Sequence, residues 1–268
     1  SHDESIHTKF SWNLAEGQGF QHNPMMHGPL LFEVTAFVYW LLGATDYTSR
    51  IYVALTGVAL VLSPLLFRRW LGRAGTAVTA VLLLISPVIS YYSRYIRHDV
   101  SLMLSGVLLL WCIGRYLESG RRRWLLWAAA AFSVMYATKE ASYIYTAIFL
   151  ALLAVPFAVW VFTTHWERRT LFRVFLGLLL AGIVLGGVFA VASSSGEVTE
   201  IALDETGNSR ASTMTLPLWG RVAATGTLVV LSAALLILRP GIGRNALAGN
   251  RLFDVLMVLG TLTLPLGS

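Results

Sequence analysis

From Ile51 onward the chain keeps returning to apolar runs of roughly twenty residues, and any fold must bury them or immerse them in lipid. The runs are Ile51 to Phe67, Ala74 to Tyr92, Val100 to Leu117, Trp124 to Thr138, Ala141 to Phe162, Leu171 to Ala192, Val222 to Leu238 and Leu252 to Leu266. Each approaches the roughly 17 to 25 residues that a helix needs to cross the hydrocarbon core, so the sequence predicts about eight spans. No soluble domain fits, because 56% of residues are hydrophobic and only 13% are charged, against roughly 25% charged in a soluble domain. The expected fold class is all-α: a polytopic transmembrane helix bundle over residues 51–268, preceded by an outer-side segment over residues 1–50. The chain opens on Ser1-His2-Asp3-Glu4 without an initiator Met and stops at Ser268 in or just after an apolar run, so it reads as a fragment truncated at both ends.

The charges sort by loop. Thirteen of the twenty basic residues fall after the first, third, fifth and seventh runs: Arg68, Arg69 and Arg73; Arg115 and Arg121 to Arg123; Arg168, Arg169 and Arg173; Arg239, Arg244 and Arg251. The positive-inside rule places those four loops in the cytoplasm. Residues 1–50, 93–99, 139–140 and 193–221, with seven basic and eleven acidic residues, then face outward. The net charge of +6 follows from this topology and implies no nucleic-acid partner. The one cysteine, Cys112, lies inside an apolar run, which excludes an intrachain disulfide or a Cys-based metal site.

Polar chemistry collects on the outward side. Five of the six histidines, His2, His7, His22, His27 and His98, fall there with Asp3, Glu4, Asp46, Asp99, Lys139 and Glu140. Ionisable groups near a bilayer are costly unless paired or functional, so this face is the candidate site. Ile6, Phe10 and Leu14 are spaced for a helix that would put Asp3 and His7 on one face. His2 and His7 are five apart rather than the four of a zincin motif, which argues against a metalloprotease. The apolar stretch to Leu42 contains Glu33 and is short for a span. It reads as an interfacial helix with Tyr39 and Trp40 at headgroup depth, the alternative being a short tilted span.

Arg94 and Arg97 lie three residues apart in the turn Tyr91-Tyr92-Ser93-Arg94-Tyr95-Ile96-Arg97-His98-Asp99, a spacing suited to a phosphate or to nearby carboxylates. Asp99 heads the next helix, where it serves chemistry or simply caps the positive helix end. Lys139 and Glu140 form a tight outer turn. They either complete an anion site with the arginines or neutralise each other.

These stretches carry a resemblance. His2 to His7, Pro24 to Phe32, Asp46 to Arg50, Ser86-Pro87 with Tyr92 to Asp99, and Ala137 to Glu140 resemble, in order and spacing, the integral-membrane GT-C glycosyltransferases. That superfamily includes protein O-mannosyltransferases and the lipid A aminoarabinose transferase, and the likeness is greatest to prokaryotic flippase-activity-associated membrane proteins. It covers residues 2 to about 145 and no further. It implies a GT-C-like bundle in a prokaryotic cell membrane, with interfacial helices and its catalytic side outward. It further implies a polyprenyl-phosphate sugar donor and catalytic acids at Asp3, Glu4 and Asp99. The leaving phosphate would meet Arg94, Arg97, Lys139 and His27, and a divalent metal would bind Asp99, His98 and His7. Many relatives have Glu-Lys-Pro-Pro where this chain has Met26-His27-Gly28-Pro29, so a histidine replaces their phosphate-contacting lysine. Relatives also carry a helix before the Asp-Glu segment and more helices after, which this chain lacks, so whether the fragment is active by itself stays open at this point.

The expected function is sugar transfer on the outer side of the membrane, with the lipid bilayer and other membrane proteins as partners. The rival is a non-catalytic membrane subunit. A proton-coupled transporter fits less well, because no run carries a mid-membrane carboxylate. Two further expectations are that Ser193 to Pro217 forms a mobile outer loop and that the carboxylates of Asp3 and Asp99 approach within one bridged contact.

Overall fold

The computed structural model describes residues 2–19, 27–194, 197–198, 214–215, 218–243, 246–247 and 249–266, with His2 and Asp3 described by their backbone alone. The described residues are almost wholly helical. In chain order they form α1 (His2–Ala15), α2 (Leu30–Leu42), α3 (Thr48–Leu62), a 3-10 turn (Ser63–Phe67), α4 (Arg68–Ile85), α5 (Pro87–Tyr92), α6 (Asp99–Ser119), α7 (Arg122–Tyr136) and α8 (Ser142–Thr163). Then follow α9 (Arg169–Ser194), a two-residue antiparallel pairing of Glu197–Val198 with Met214–Thr215, α10 (Leu218–Ile242) and α11 (Arg251–Leu266).

Among the described residues five helical stretches are long and apolar enough to cross a membrane: Thr48–Ile85, Asp99–Ser119, Ser142–Thr163, Arg169–Phe189 and Leu218–Ile242. The first has 38 residues, about 57 Å as a straight helix and roughly twice the hydrocarbon thickness. It is not straight. Pro64 opens the 3-10 turn, Gly72 takes φ 69° and ψ −177°, and Leu83 and Leu84 come back beside Ala54 and Gly57. The bend carries Arg68, Arg69 and Arg73, so two of the predicted apolar runs form a hairpin with its cations at the turn. The fourth and eighth runs form helices of 15 and 16 residues, α7 and α11, shorter than the roughly 17 that a perpendicular span requires. Little of the apolar surface is covered by protein. In Arg169–Phe189 only 11% of the apolar window is buried, which a chain in water could not sustain.

The described residues divide into two units, residues 1–159 with 251–268, and residues 160–250. In the first, α6 and α7 are joined by Gly120, whose φ of 64° supplies the left-handed helix end. Leu109, Ile113 and Tyr116 of α6 pack with Phe132 and Met135 of α7, Leu153 of α8 and Leu259 of α11. A smaller cluster of Leu31, Val53 and Ile96 ties α2 and α3 to the turn before α6. In the second unit α9 and α10 lie side by side, Gly182 meeting Leu231 and Gly226 meeting Leu185, so small residues admit large ones across the pair. Most of the segment 193–217, expected to be a mobile loop, lies outside the described residues.

Candidate functional site

The polar cluster forms where α1, α2 and α3 pack at the N-terminal end of α6. The spacing of Ile6, Phe10 and Leu14 predicted a helix with Asp3 and His7 on one face. The face of α1 buried most deeply is Glu4, His7 and Ser11, exposed by 9%, 8% and 0%. This polar stripe at i, i+3 and i+7 packs toward α2, and Ser11 satisfies itself by donating to the His7 carbonyl at 2.9 Å.

Two backbone hydrogen bonds stitch the start of α2 to the turn after α7: the Gly28 N–H donates to the Thr138 carbonyl at 3.2 Å and the Leu30 N–H to the Ala137 carbonyl at 3.1 Å. Only glycine fits there, because a Cβ at Gly28 would sit 2.1 Å from the Ala137 oxygen. The preceding His27 takes a positive φ of 63°, unusual for a side-chain-bearing residue. That geometry brings its Nδ1 within 2.7 Å of the Glu140 carboxylate. Burial pushes the Glu140 carboxyl upward, but its own backbone N–H, His27 and Lys139 together outweigh it and hold the group below its ordinary value.

His98 sits at the centre, exposed by only 2%. Its ring centroid lies 5.4 Å from that of His7, 5.4 Å from that of His27 and 5.7 Å from that of Phe32, all at edge-on angles. Among the described residues neither of its ring nitrogens has a hydrogen-bond partner. Burial, with His7, His27 and Lys139 nearby, pushes its pKa down to about 3 against the opposing pull of Asp99, so the ring is neutral.

Asp99 is the first residue of α6 rather than its cap, since His98 precedes it with no side-chain capping bond. Its carboxylate takes the Lys139 ammonium at 2.8 Å and lies 3.9 Å from the Arg97 Nε, while Arg97 also stands over the Tyr92 ring at 5.6 Å. Lys139 and Glu140 therefore do not neutralise each other; each pairs with a different segment. Glu4 reaches Arg50 on α3 at 3.6 Å. Arg94 is exposed, has no carboxylate partner among the described residues, and shares a groove of about 420 Å³ with Arg50, Asp46 and Tyr47. Tyr39, expected at headgroup depth, is buried and meets Ser49, while Trp40 is exposed.

Of the residues singled out by sequence, the fold thus gathers Glu4, His7, His27, Arg97, His98, Asp99 and Lys139, and sets Arg94 apart beside Arg50. The Asp3 side chain lies outside the described residues, and with it the Asp3 to Asp99 distance. Asp46 belongs to the outward polar collection, whereas Arg50 stood out only as part of a matching stretch. The signal they share is a polar pair four apart at the start of an apolar run. Among the described residues no three His, Cys, Asp or Glu side chains are placed to hold a metal ion. His7 and His98 meet as ring edges, and the Asp99 carboxylate is held by Lys139.

No curated protein and no solved structure matches this chain. The site's His27, Arg94, Arg97, His98, Asp99 and Lys139 all lie within one stretch that matches a known family, whereas Asp3, Glu4 and His7 precede it. Residues 26–193 match the dolichyl-phosphate-mannose-protein mannosyltransferase family, and with its long apolar helices the chain belongs to that family of GT-C-type membrane glycosyltransferases.

Proposed function

We propose that the protein transfers a sugar from a polyprenyl-phosphate donor to a lipid or protein acceptor on the outer side of the membrane. The supporting observation is the crowding of Glu4, Arg50, Arg97, Asp99, Lys139 and three imidazoles at one end of the bundle. The membrane-crossing stretches, in contrast, carry at most two charged residues per apolar window. A chain that only filled space in a complex would gain nothing by holding so many ionisable groups at one end.

The chemistry assigns Asp3 as the base. It takes the proton of an acceptor hydroxyl or amine as that atom bonds to the sugar's anomeric carbon. The carbon–oxygen bond to the donor phosphate breaks, and its electron pair leaves on the phosphate. Arg94, which has no carboxylate partner among the described residues, receives that charge, whereas Lys139 is held by Asp99 at 2.8 Å. Asp99 is then a positioning residue, and Glu4 and His7 orient the base or the acceptor.

The test is Asp3→Asn in the reconstituted protein with mannosyl polyprenyl phosphate and a hydroxyl acceptor. Transfer should drop by roughly 10²- to 10⁴-fold while the unfolding temperature stays put. Full transfer by this variant would sink the mechanism and leave the subunit reading. Asp99→Asn should raise KM for the donor more than it lowers kcat.

A further inference from the structure

Three concavities adjoin along one side of the polar cluster, and their walls change character in order. The first, about 210 Å³, is lined by Thr8, Trp12, Thr45, Asp46 and Ser49: hydroxyls, one carboxylate and an indole 45% exposed. The second, about 420 Å³, shares Asp46 with the first and adds Arg50 and Arg94. The third, about 350 Å³, shares Ala54, Ser93 and Arg94 with the second and continues between α3 and α4 along Val58, Val61, Leu83 and Leu84. Val58 and Leu84 are exposed apolar residues of a membrane-crossing stretch, so this slot opens where lipid tails lie.

We infer that this trough is the donor's cradle, with the sugar at Trp12 and Asp46, the phosphate between Arg50 and Arg94, and the first isoprene units in the slot between α3 and α4. The inference rests on the transferase reading and adds which surface serves it. Each part fits by its own chemistry. An exposed indole face with hydroxyls and a carboxylate suits a sugar ring, whose C–H face stacks and whose hydroxyls donate. Among the described residues Arg94 has no carboxylate partner and Arg50 meets a carboxylate at Glu4 alone, at 3.6 Å, so both guanidinium groups retain donors for a phosphate. The hydrocarbon side chains of Val58, Val61, Leu83 and Leu84 suit a prenyl tail. Asp46 repels an anion, so the phosphate belongs at the Arg94 end and the neutral sugar at the Asp46 end. This order also points the sugar toward α1, where Glu4 meets Arg50 and the proposed base is carried.

The experiment measures binding without turnover, on the full chain in phosphatidylcholine nanodiscs. The probes are polyprenyl phosphate, mannosyl polyprenyl phosphate and phosphatidylglycerol. Arg94→Gln should weaken both prenyl ligands about tenfold or more. Asp46→Asn should weaken the mannosyl ligand and leave, or improve, the bare phosphate. Ala54→Phe, at an exposed position where the slot begins, should weaken a long-chain ligand while sparing a short-chain analogue. Equal binding of phosphatidylglycerol, or prenyl binding unchanged in all three variants, would overturn the assignment. The two readings separate cleanly. The expected binding pattern in a protein that transfers no sugar keeps the cradle and removes the transferase; normal transfer by all three variants removes the cradle and keeps the transferase.

Discussion

The two ends of α6 hold similar numbers of charges and treat them oppositely. At its C-terminal end Glu118 is held by the Trp70 indole N–H at 2.7 Å, by Arg69 at 3.1 Å and by Arg115 at 3.7 Å. Arg251 donates to the carbonyls of Leu117 and Glu118 at 2.6 and 2.7 Å, closing the last turn where the helix dipole favours a cation. Tyr116 donates to Asp254, which joins α11 to α6. Every carboxylate there is taken, and Arg115 stacks on Trp124 at 5.2 Å. At the N-terminal end Asp99 is also held, but His98 keeps two buried nitrogens unpartnered, His27 keeps a left-handed backbone, and Arg94 keeps its charge unpaired among the described residues. One end spends its carboxylates on the fold, although the Arg115 Nε and the Trp124 Nε1 are also buried there without a hydrogen-bond partner among the described residues. The other retains capacity, and strain, that the fold alone does not explain.

The sharpest way to break this comparison is to ask which end faces which side. Arg122→Cys should be labelled by an impermeant thiol reagent only after the membrane is opened, and a cysteine at Tyr95 should be labelled in intact cells. Outward labelling at position 122 would overturn the orientation drawn from the loop charges.

Next in size comes His98→Phe. An apolar ring of similar shape removes two unpartnered buried nitrogens, so the unfolding temperature should hold or rise, while transfer falls about tenfold or more. The same variant changes the pH profile. The His98 pKa is lowered when folded, so its contribution to stability is complete above the unfolded value of 6.5 and is lost as the pH falls below it toward about 3. Groups facing the ring are His7 on α1, His27 before α2, Lys139 after α7 and Asp99 on α6. Wild type should therefore lose stability between those pH values and His98→Phe should lose less. Undiminished transfer in this variant would make the N-terminal end as structural as the other.

Arg251→Gln probes the opposite end. It should cost about 1 kcal/mol of stability, the charge-assisted bonds being largely exposed, and leave transfer per folded molecule unchanged. Loss of activity without loss of stability would show that the two ends are not divided by role. The smallest effect is expected at Glu140→Gln, about 0.5 kcal/mol for an exposed pair with His27. Because Glu140 titrates below its usual value of 4.5, its contribution is full above that value and is lost as the pH falls through the folded pKa. Hydrogen exchange at the Gly28 amide, bonded to Thr138, would register it.

Much of this was legible in the residues themselves. Long apolar runs dictate helices in lipid, since in a hydrocarbon solvent backbone groups must be satisfied within the segment. The clustering of His, Asp and Arg at Asp3 to His7, Arg94 to Asp99 and Lys139-Glu140 marked candidate residues, of which the fold brings His7, Arg97, His98, Asp99 and Lys139 together. Pattern alone predicted the helix α1 but left open which of its faces is buried. A helix end near a polar cluster buries whichever face finds partners, and Glu4 finds Arg50 while Ser11 finds its own backbone.

Partner choice lay wholly with the tertiary structure. Sequence places Lys139 beside Glu140 and Arg94 near Arg97, yet Lys139 bonds Asp99 across 40 positions and Glu140 bonds His27 across 113. Local spacing fixes period, hydrophobicity and the sign of each loop, because those depend only on neighbours along the chain. Which charges meet depends on how α2, α3, α6 and α7 pack, and that is settled by contacts such as Gly28 against the Ala137 backbone and Gly57 against the Ser93 side chain, where a missing Cβ lets the two segments close.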